Sequence, residues 1–451
     1  MAWRSWRVES MHTTHILAQF ATRYANETLS PEVAHSAQRA VVDWYASLYP
    51  GLATPAVQVL EKALADDLDR GPARLALGRQ ATVRAAALIN GTAAHAAEVD
   101  DSYREAMYHP GAATISAALA VAQSVGASGP QFLKAVVLGY EVSTRIGVVM
   151  GRAHYKHWHN TGTMGAFGAA SAAGHLLGLN ETSFAHALAI AATFAAGLQQ
   201  AFRLESMAKP LHAGRAAEAG VLAAQLAHGG MRSSLDVLEG ESGLGVAMGD
   251  GPRWTGIGDT LGQDFHITRL TFKNHIGCGH TFPAIDGALA LQRLYGFSHA
   301  DIDTVHLGVY QPTLDIAPHV DPQTADQARF SLHYMVASAL VHGSVRLSAF
   351  EPQRLNDPAT RRLMARISKA LDPEVDAGFP ARRAARVSIR LRDGCTFTHW
   401  QSDRKGDPEL PLTDADLEGK LIELASPVMG ESAARDLLAR IWALDGSAQL
   451  P

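Results

Sequence analysis

The sequence predicts a mainly α protein, with a large all-α helical body and a smaller α+β lid domain. Residues from Thr13 to about Gly230 are dominated by Ala, Leu and His at helical spacing, with few β-branched runs. Strand-like runs appear only after residue 265, and helical periodicity returns from Asp414 to Leu444. Apolar residues make up 47% of the 451 residues and charged residues 18%, which predicts a large buried core.

Several segments of the first part have the periodicity of amphipathic or buried helices, and short Gly, Pro or Asn breaks separate them. The predicted helices are 31–49, 80–97, 130–150 and 183–202. Their many Ala and Gly residues permit close approach of neighbouring backbones. The sequence therefore predicts tightly packed helices over this whole region.

A glycine-rich connection over residues 240–262 precedes the mixed region. Strands are predicted at 267–272, 303–310, 385–391 and 396–400, and helices at 282–295, 328–342 and 361–371. Asp393-Gly394 between the last two strands predicts a hairpin, because Asp-Gly tolerates the positive φ angles of a tight turn. The predicted domains are thus residues 1–265 with 403–451, and residues 266–402.

Composition excludes several classes of protein. The 39 Lys and Arg against 44 Asp and Glu give a net charge of -5, whereas a nucleic-acid binder needs a basic surface. Two distant cysteines, Cys278 and Cys395, cannot build a disulfide framework or hold an iron–sulfur cluster alone. No stretch is apolar over the roughly 20 residues of a membrane span, and the N-terminus lacks the apolar core of a secretory signal. Translation starting at Met1 or Met11 stays open, and a cytoplasmic protein is predicted.

Four polar clusters could carry chemistry. The first contains His95, Glu98, Asp100, Asp101 and Ser102, and His109-Pro-Gly follows it. Carboxylates this close repel one another, so at least one should face a cation or a polar cleft. His109 precedes a Pro suited to the first turn of a helix, where free N–H groups favour anions. The alternative is a helix end, a solvated loop and a cap.

The second cluster is His154, His157 and His159 before Asn160-Thr161. It suggests a metal site, but no carboxylate lies at a familiar ligand spacing, so a polar helix cap is the preferred interpretation. The third is Lys209-Pro-Leu-His212-Ala-Gly-Arg215. Lys209 lies at a helix start with His212 and Arg215 on one face, which suits substrate carboxylates, although surface cations are often only solvated.

The fourth cluster runs from Lys273 through His275 and Cys278 to His280, just before a predicted helix. One Cys without a fourth ligand does not fit zinc, so a structural histidine and a His280 that faces a cleft are the two interpretations. The Gly-rich residues 243–249 follow no strand and open no helix. They therefore do not predict a dinucleotide site, and no cofactor is predicted.

Taken in chain order, these segments resemble the MmgE/PrpD family, which includes 2-methylcitrate dehydratase, cis-aconitate decarboxylase and iminodisuccinate epimerase. The resemblance covers nearly the whole chain. It includes residues 37–43, 90–102, 109–111, 159–168 and 209–215, then Cys278-Gly-His280, 328–334 and 406–411. It implies a metal-free fold of a helical body and an α+β lid, usually a homodimer, with a small di- or tricarboxylate in the cleft between them.

By this resemblance His109, His159, Lys209 and His280 would line the cleft, and Tyr334 would reach in from the lid. The acidic motif of the family normally reads Asp-x-Asp-Asp-Thr, whereas this chain has Glu98-Val-Asp-Asp-Ser102. The first carboxylate is therefore longer and the hydroxyl lacks a methyl group. Because both changes fall at the expected site, the familiar substrates are in doubt.

The predicted chemistry is general acid–base catalysis through charge that develops next to a carboxylate. His159 is the candidate proton carrier, and His109, oriented by Glu98 or Asp101, would assist a leaving hydroxide. Lys209 is also a catalytic candidate, since it would hold a substrate carboxylate or the developing charge, and which histidine is acid and which is base stays open. The predicted substrate-binding residues are Ser102, His212, Arg215, His280 and Tyr334. The first functional prediction is a metal-independent dehydratase of a hydroxy di- or tricarboxylate. An imino or amino dicarboxylate epimerase is second, and a decarboxylase and a non-catalytic binding paralogue also stay open.

Overall fold

The computed structural model describes residues 11–202, 206–379 and 381–451. The ten residues before Met11, the alternative start, lie outside the described residues. The described chain divides into two compact units, residues up to Leu270 with Asp414–Pro451, and Thr271–Thr413. The mainly α fold class is confirmed. None of the described helices combines the length and the apolar character that a membrane crossing requires.

The first unit is helical apart from one small hairpin. Its helices are α1 Thr13–Tyr24, α2 Pro31–Leu52, α3 Pro55–Ala63, α4 Val83–Ala96, α5 Pro110–Val125, α6 Gly129–Tyr155, α7 Asn160–Leu176, α8 Glu181–Phe194, α9 Ala208–His228, α10 Leu244–Met248, α18 Asp414–Met429 and α19 Glu431–Trp442. Short 3₁₀ turns lie at Ala65–Asp67, Gln199–Phe202 and His266–Arg269. The antiparallel strands β1 Leu68–Arg74 and β2 Gln80–Ala81 form the hairpin, which was not predicted from the sequence.

The second unit is a four-stranded sheet with helices. Its helices are α11 Phe282–Tyr295, α12 Gln311–Ile316, α13 Ala325–Arg329, α14 Leu332–His342, α15 Pro352–Leu355, α16 Pro358–Met364 and α17 Pro373–Gly378, with 3₁₀ turns at His299–Asp301 and Leu347–Phe350. Its strands are β3 Ile302–Val309, β4 Ile367–Leu371, β5 Ala385–Leu391 and β6 Thr396–Gln401. They lie in the order β4-β3-β5-β6.

Within this sheet, β4 runs parallel to β3, and β5 is antiparallel to both β3 and β6. The register pairs Val305 with Ile367 and Ile389 with Phe397. The predicted β5–β6 hairpin is confirmed, and Gly394 in its turn has a φ of 90°. That left-handed conformation is one that glycine adopts at little cost.

Four local predictions are wrong. The predicted helix 183–202 ends at Phe194, and only a 3₁₀ turn follows it at Gln199–Phe202. Residues 267–272 form no strand, because the chain makes a 3₁₀ turn over His266–Arg269. The predicted helix 361–371 ends at Met364, and its last part becomes β4. The predicted helix 328–342 is two helices, since Ser331 caps a new one by accepting a hydrogen bond from the Tyr334 N–H. The unit boundaries also lie later than 265 and 402, at Leu270 and Thr413.

Small residues bring the central helices of the first unit unusually close together. A Cβ on Gly91 of α4 would lie 2.9 Å from the Cα of Gly214 on α9. A Cβ on Gly165 of α7 would lie 2.8 Å from the Cβ of Ala113 on α5. Helices α4, α5, α7 and α9 therefore pack almost backbone to backbone. This contact brings the C-terminal end of α4 to the N-terminal ends of α5, α7 and α9.

We expect Gly214→Ala and Gly419→Ala to change stability in opposite directions. The new Cβ at residue 214 would lie 2.1 Å from the Leu88 carbonyl oxygen, so the helices must separate, at a cost of about 1–3 kcal/mol. Gly419 lies in the interior of α18, and a Cβ added there would meet nothing within 4 Å, so alanine should stabilise by about 0.5–1 kcal/mol. Urea unfolding of both variants measures the two changes. Equal effects would contradict the close packing of α4 against α9.

Candidate active site

The candidate site lies where four helix ends meet in the first unit. His109 and His159 are the residues that immediately precede α5 and α7, and Lys209 lies in the first turn of α9. The two helix starts touch, since the His109 backbone N–H donates to the Thr161 hydroxyl at 3.3 Å. Each helix start presents free N–H groups and the positive end of its dipole. Three such ends in one place favour a negatively charged ligand.

Four imidazole rings form a continuous cluster at this place. The ring of His95, from the last turn of α4, lies 5.0 Å from that of His109 and 5.5 Å from that of His159. His159 in turn faces His212 with 3.0 Å between their Nδ1 atoms. That distance requires one of the two nitrogens to carry the proton and the other to accept it. The cluster can therefore hold and pass on protons.

Burial keeps two of these histidines neutral. The pKa of His159 lies well below its ordinary value, first because the ring is buried and then because His95 and Lys209 are close. The same causes lower the pKa of His212. At neutral pH both rings are therefore neutral, and each has one N–H and one nitrogen that can accept a proton.

Lys209 supplies the positive charge of the site. Its ammonium pairs with the Glu98 carboxylate and lies 5.0 Å from the centre of the Phe202 ring. The edge of the same ring contacts His159, with 4.7 Å between ring centres. Glu98 has a φ of 60°, a left-handed conformation that is uncommon for a residue with a side chain. Such strain is frequent at functional sites, and here it occurs at the residue whose carboxylate pairs with Lys209.

The three acids of the first cluster have three different partners. Glu98 pairs with Lys209, whereas Asp100 bonds His95 Nδ1 at 2.7 Å and lies 3.4 Å from His109 Nδ1. The Asp101 carboxylate accepts from the Gly111 N–H at 3.0 Å and from the Tyr140 hydroxyl at 2.7 Å. The Asp101 carboxylate therefore fixes the start of α5, and the Asp101 carbonyl accepts from His109 Nδ1 at 2.6 Å. Asp100 orients His95.

The carboxyl group of Asp101 has a raised pKa. Burial, followed by repulsion from Asp43, raises the pKa of its carboxyl to about 8. The folded protein thus keeps a proton that the unfolded chain loses near pH 4, so Asp101 lowers the unfolding free energy as pH rises between those values.

We expect Asp101→Asn to remove this pH dependence. Relative to the variant, the unchanged protein should lose about 1 kcal/mol of unfolding free energy per pH unit between pH 5 and 7. Denaturant unfolding of both proteins at several pH values measures the difference. Parallel pH profiles would mean that Asp101 is ionised in the folded protein.

The second cluster from the sequence does not form a metal site among the described residues. Both ring nitrogens of His154 already have partners, the Met248 carbonyl and the Thr163 hydroxyl, and His157 is exposed. A different group, His95, Asp100 and His109, has one ligand atom from each within 4.8 Å of the others. This spacing would admit a divalent cation, and it equally suits two histidines oriented by one carboxylate.

The other predicted substrate-binding residues of this unit lie at or beyond the edge of the cluster. Ser102 is half-buried just after the acids. Arg215 pairs with Glu218 on α9, and its side chain is 54% exposed. No described contact brings the Arg215 guanidinium to the histidines, so its binding role stays a prediction.

His280 and Tyr334 belong to the second unit. His280 Nδ1 lies 2.9 Å from the Tyr310 hydroxyl, and burial with the nearby Arg383 and Arg404 lowers the His280 pKa to about 4. Tyr334 is fully buried and donates its hydroxyl to the Ala349 carbonyl. Within this unit Tyr334 is therefore a core residue, and its predicted contact with substrate stays untested.

His95 lies inside the cluster and Phe202 at its exposed edge, although neither was given a role from the sequence. His95 is fully buried and joins Asp100 to the rings of His109 and His159. The signal available in the sequence was a histidine in the last turn of a helix, five residues before an aspartate. Phe202 gave no signal, because its contacts depend on how the segment before α9 folds.

Two family models match the chain. The MmgE/PrpD N-terminal domain model matches residues 15–256, and the MmgE/PrpD C-terminal domain model matches residues 275–445. The chain is 28% identical to the cis-aconitate decarboxylase-like protein oryM of Aspergillus oryzae, over 97% of this chain and 96% of that protein. It is 26% identical to cis-aconitate decarboxylase of Aspergillus terreus, over 96% of this chain and 93% of that enzyme. Human cis-aconitate decarboxylase is 28% identical, over 78% of this chain and 75% of the enzyme.

Proposed function

Because this chain belongs to the MmgE/PrpD family, whose members include lyases, we propose that it is a lyase of a small tricarboxylate that releases CO2. The observation that carries this proposal is the meeting of three helix N-termini, Lys209 and two neutral histidines, buried His159 and half-buried His212, in one place. The names of the relatives favour decarboxylation over the dehydration that the sequence alone put first.

The charges at the site suit a substrate with several carboxylates. The positive helix ends and the Lys209 ammonium attract anions. Lys209 would exchange its ion pair with Glu98 for one with a substrate carboxylate. Asp100 keeps His95 in a fixed orientation, and the Asp101 carbonyl, 2.6 Å from His109 Nδ1, does the same for His109. The protein thus orients the substrate before any bond breaks.

The proposed reaction needs one proton and a place for one electron pair. When the C–C bond to a carboxylate breaks, CO2 leaves and the electron pair passes into the neighbouring alkene and carboxylate. Lys209 stabilises the charge that develops on those oxygens. His159 first takes up one proton, which His212 relays from solvent across the 3.0 Å between their Nδ1 atoms, and then delivers a proton to carbon and returns to its neutral form. The products are CO2 and a dicarboxylate with a new C–H bond.

Dehydration is the second candidate, and one observation favours it. His109 lies 3.4 Å from Asp100 and at the positive end of α5, where it could protonate a leaving hydroxide. A base such as His159 would remove the proton next to the carboxylate. The electron pair would form the alkene as water departs.

Product analysis separates the two reactions. The purified protein is incubated with ¹³C-labelled cis-aconitate and, separately, with citrate and 2-methylcitrate, and ¹³C NMR follows the products. Labelled bicarbonate with a new dicarboxylate supports the decarboxylase. A new conjugated alkene that absorbs in the ultraviolet, without bicarbonate, supports the dehydratase. If a folded protein converts none of these acids, the proposed substrate class is wrong.

We also propose that no metal takes part, with His95, Asp100 and His109 acting as a hydrogen-bonded group. Dialysis against EDTA should leave the turnover within about two-fold of its starting value, because general acid–base chemistry needs no cation. The same protein dialysed against buffer alone is the control. Loss of activity on chelation, with recovery on adding Zn²⁺ or Mn²⁺, would make these three residues a metal site.

A further inference from the structure

A separate cavity of about 280 Å³ lies in the first unit, away from the histidine cluster. Residues of α2, β1, α4, α5, α18 and α19 line it. Part of its lining is apolar and aromatic. Trp44 contacts Tyr45 edge to face with 4.7 Å between ring centres, and Leu48 and Leu437 line the cavity beside them. The Trp44 indole N–H is already bonded to the Ser116 hydroxyl, so this ring presents only carbon to the cavity. A flat apolar body fits such a wall.

One buried polar atom that faces the cavity, Asn90 Oδ1, has no hydrogen-bond partner among the described residues. Tyr45 and Tyr49 also line the cavity and are 4% and 2% exposed, so their hydroxyls are the other polar groups at its buried end. Asn90 is 2% exposed, and its amide nitrogen donates to the Arg74 carbonyl while its Oδ1 stays unpaired. Buried polar groups without partners are costly, and a ligand that bonds them recovers that free energy.

Two arginines give the cavity its charge. Arg74 and Arg440 line it and are exposed, and no described acid pairs with either guanidinium. No Asp or Glu is among the described residues that line this cavity. Arg440 also lies close enough to Tyr49 to oppose the effect of burial, which raises the pKa of that hydroxyl to about 12. Both tyrosines therefore stay protonated and can donate a hydrogen bond.

From these three features we infer that the cavity binds a small hydroxyaryl carboxylate. The carboxylate lies at the exposed arginines, the ring lies against Trp44 and Leu437, and the hydroxyl reaches the buried end of the cavity. There the hydroxyl donates to Asn90 Oδ1 and accepts from a tyrosine. This site is independent of the proposed lyase site, and the inference stands whether or not the protein is a decarboxylase.

Isothermal titration of the full chain with 4-hydroxyphenylacetate tests the inference. We expect one equivalent to bind, and Arg440→Gln to weaken the affinity by about 10-fold or more, because a charge-assisted hydrogen bond is lost. Arg435→Gln is the matched control, since Arg435 lies on the same helix but pairs with Glu431 outside the cavity. It should leave the affinity unchanged.

A second pair of measurements tests the buried end of the ligand. Tyr49→Phe should weaken binding of 4-hydroxyphenylacetate several-fold and leave binding of phenylacetate, which lacks the hydroxyl, unchanged. Lys209→Ala should leave both affinities unchanged. Binding that depends on Lys209 but not on Arg440 would place the probe in the candidate active site and overturn the inference. Absence of binding to the unchanged protein would overturn it as well.

Discussion

Replacing His159 with glutamine should lower the turnover of the true substrate by about 10²–10⁴-fold, the usual contribution of a general acid or base. His159 is buried, neutral and 3.0 Å from His212, with Lys209 and His95 beside it. Glutamine keeps a polar side chain of similar reach but cannot exchange a proton near neutral pH. The loss should therefore fall on turnover more than on substrate affinity.

His157→Gln is the matched control for this experiment. His157 lies two residues earlier in the same segment, is exposed, and has no side-chain contact with the cluster. It should keep activity within about two-fold. Thermal unfolding of both variants checks that the helical unit is intact. If His159→Gln turned over substrate within a few-fold of the unchanged protein, the assignment of His159 as proton carrier would be wrong.

Replacing Lys420 with methionine should lower the free energy of unfolding by about 3–5 kcal/mol, the usual result of breaking a buried ion pair. Lys420 on α18 is 1% exposed, and its ammonium lies 2.5 Å from Asp43 on α2 and 2.6 Å from the Val99 carbonyl. Methionine matches the length of the side chain but leaves the buried Asp43 carboxylate without this cation. Activity should also fall, because Val99 lies between Glu98 and Asp100.

Two further variants separate charge from packing in this effect. Lys62→Met replaces an exposed lysine on α3 and should change the unfolding free energy by less than about 0.5 kcal/mol. Adding Asp43→Leu to Lys420→Met removes both charges and should recover part of the loss. Urea unfolding measures all three variants. A loss below about 1 kcal/mol for Lys420→Met would show that the pair contributes little.

Much of the fold could be predicted from local sequence. Helix α2 begins where Ser30 and Pro31 predict a cap and a first turn, and Asp393-Gly394 marks the β5–β6 hairpin. The strand β4 could not be predicted, because Ile367–Leu371 is extended only through its parallel pairing with β3, some sixty residues earlier. The segment 267–272 was wrongly predicted as a strand, because its composition suits a strand but no strand among the described residues lies next to it to pair with. Its Phe272 N–H bonds the Gly406 carbonyl in a distant turn, not a neighbouring strand.

Some residues of the candidate site could also be predicted from local sequence, and others could not. His109, His159 and Lys209 could be predicted because each is placed by a local feature, the start of a helix. His95 could not, because its role depends on how closely α4 packs against α9, which the Gly91–Gly214 contact determines, and on the His159 ring that lies beside it. Arg215 shares the helix of His212 but pairs with Glu218, a partner one turn later that competes for its charge.

The most direct test of the proposed mechanism is hydrogen exchange at carbon, followed by NMR in D2O with citrate, 2-methylcitrate, cis-aconitate, malate and aspartate-derived acids. If His159 and Lys209 form and reprotonate a carbanion next to a carboxylate, deuterium should enter that carbon. The unchanged protein and His157→Gln should both show it, and His159→Gln should not. Substrate turnover without solvent deuterium at that carbon would contradict the mechanism, as would undiminished exchange in His159→Gln.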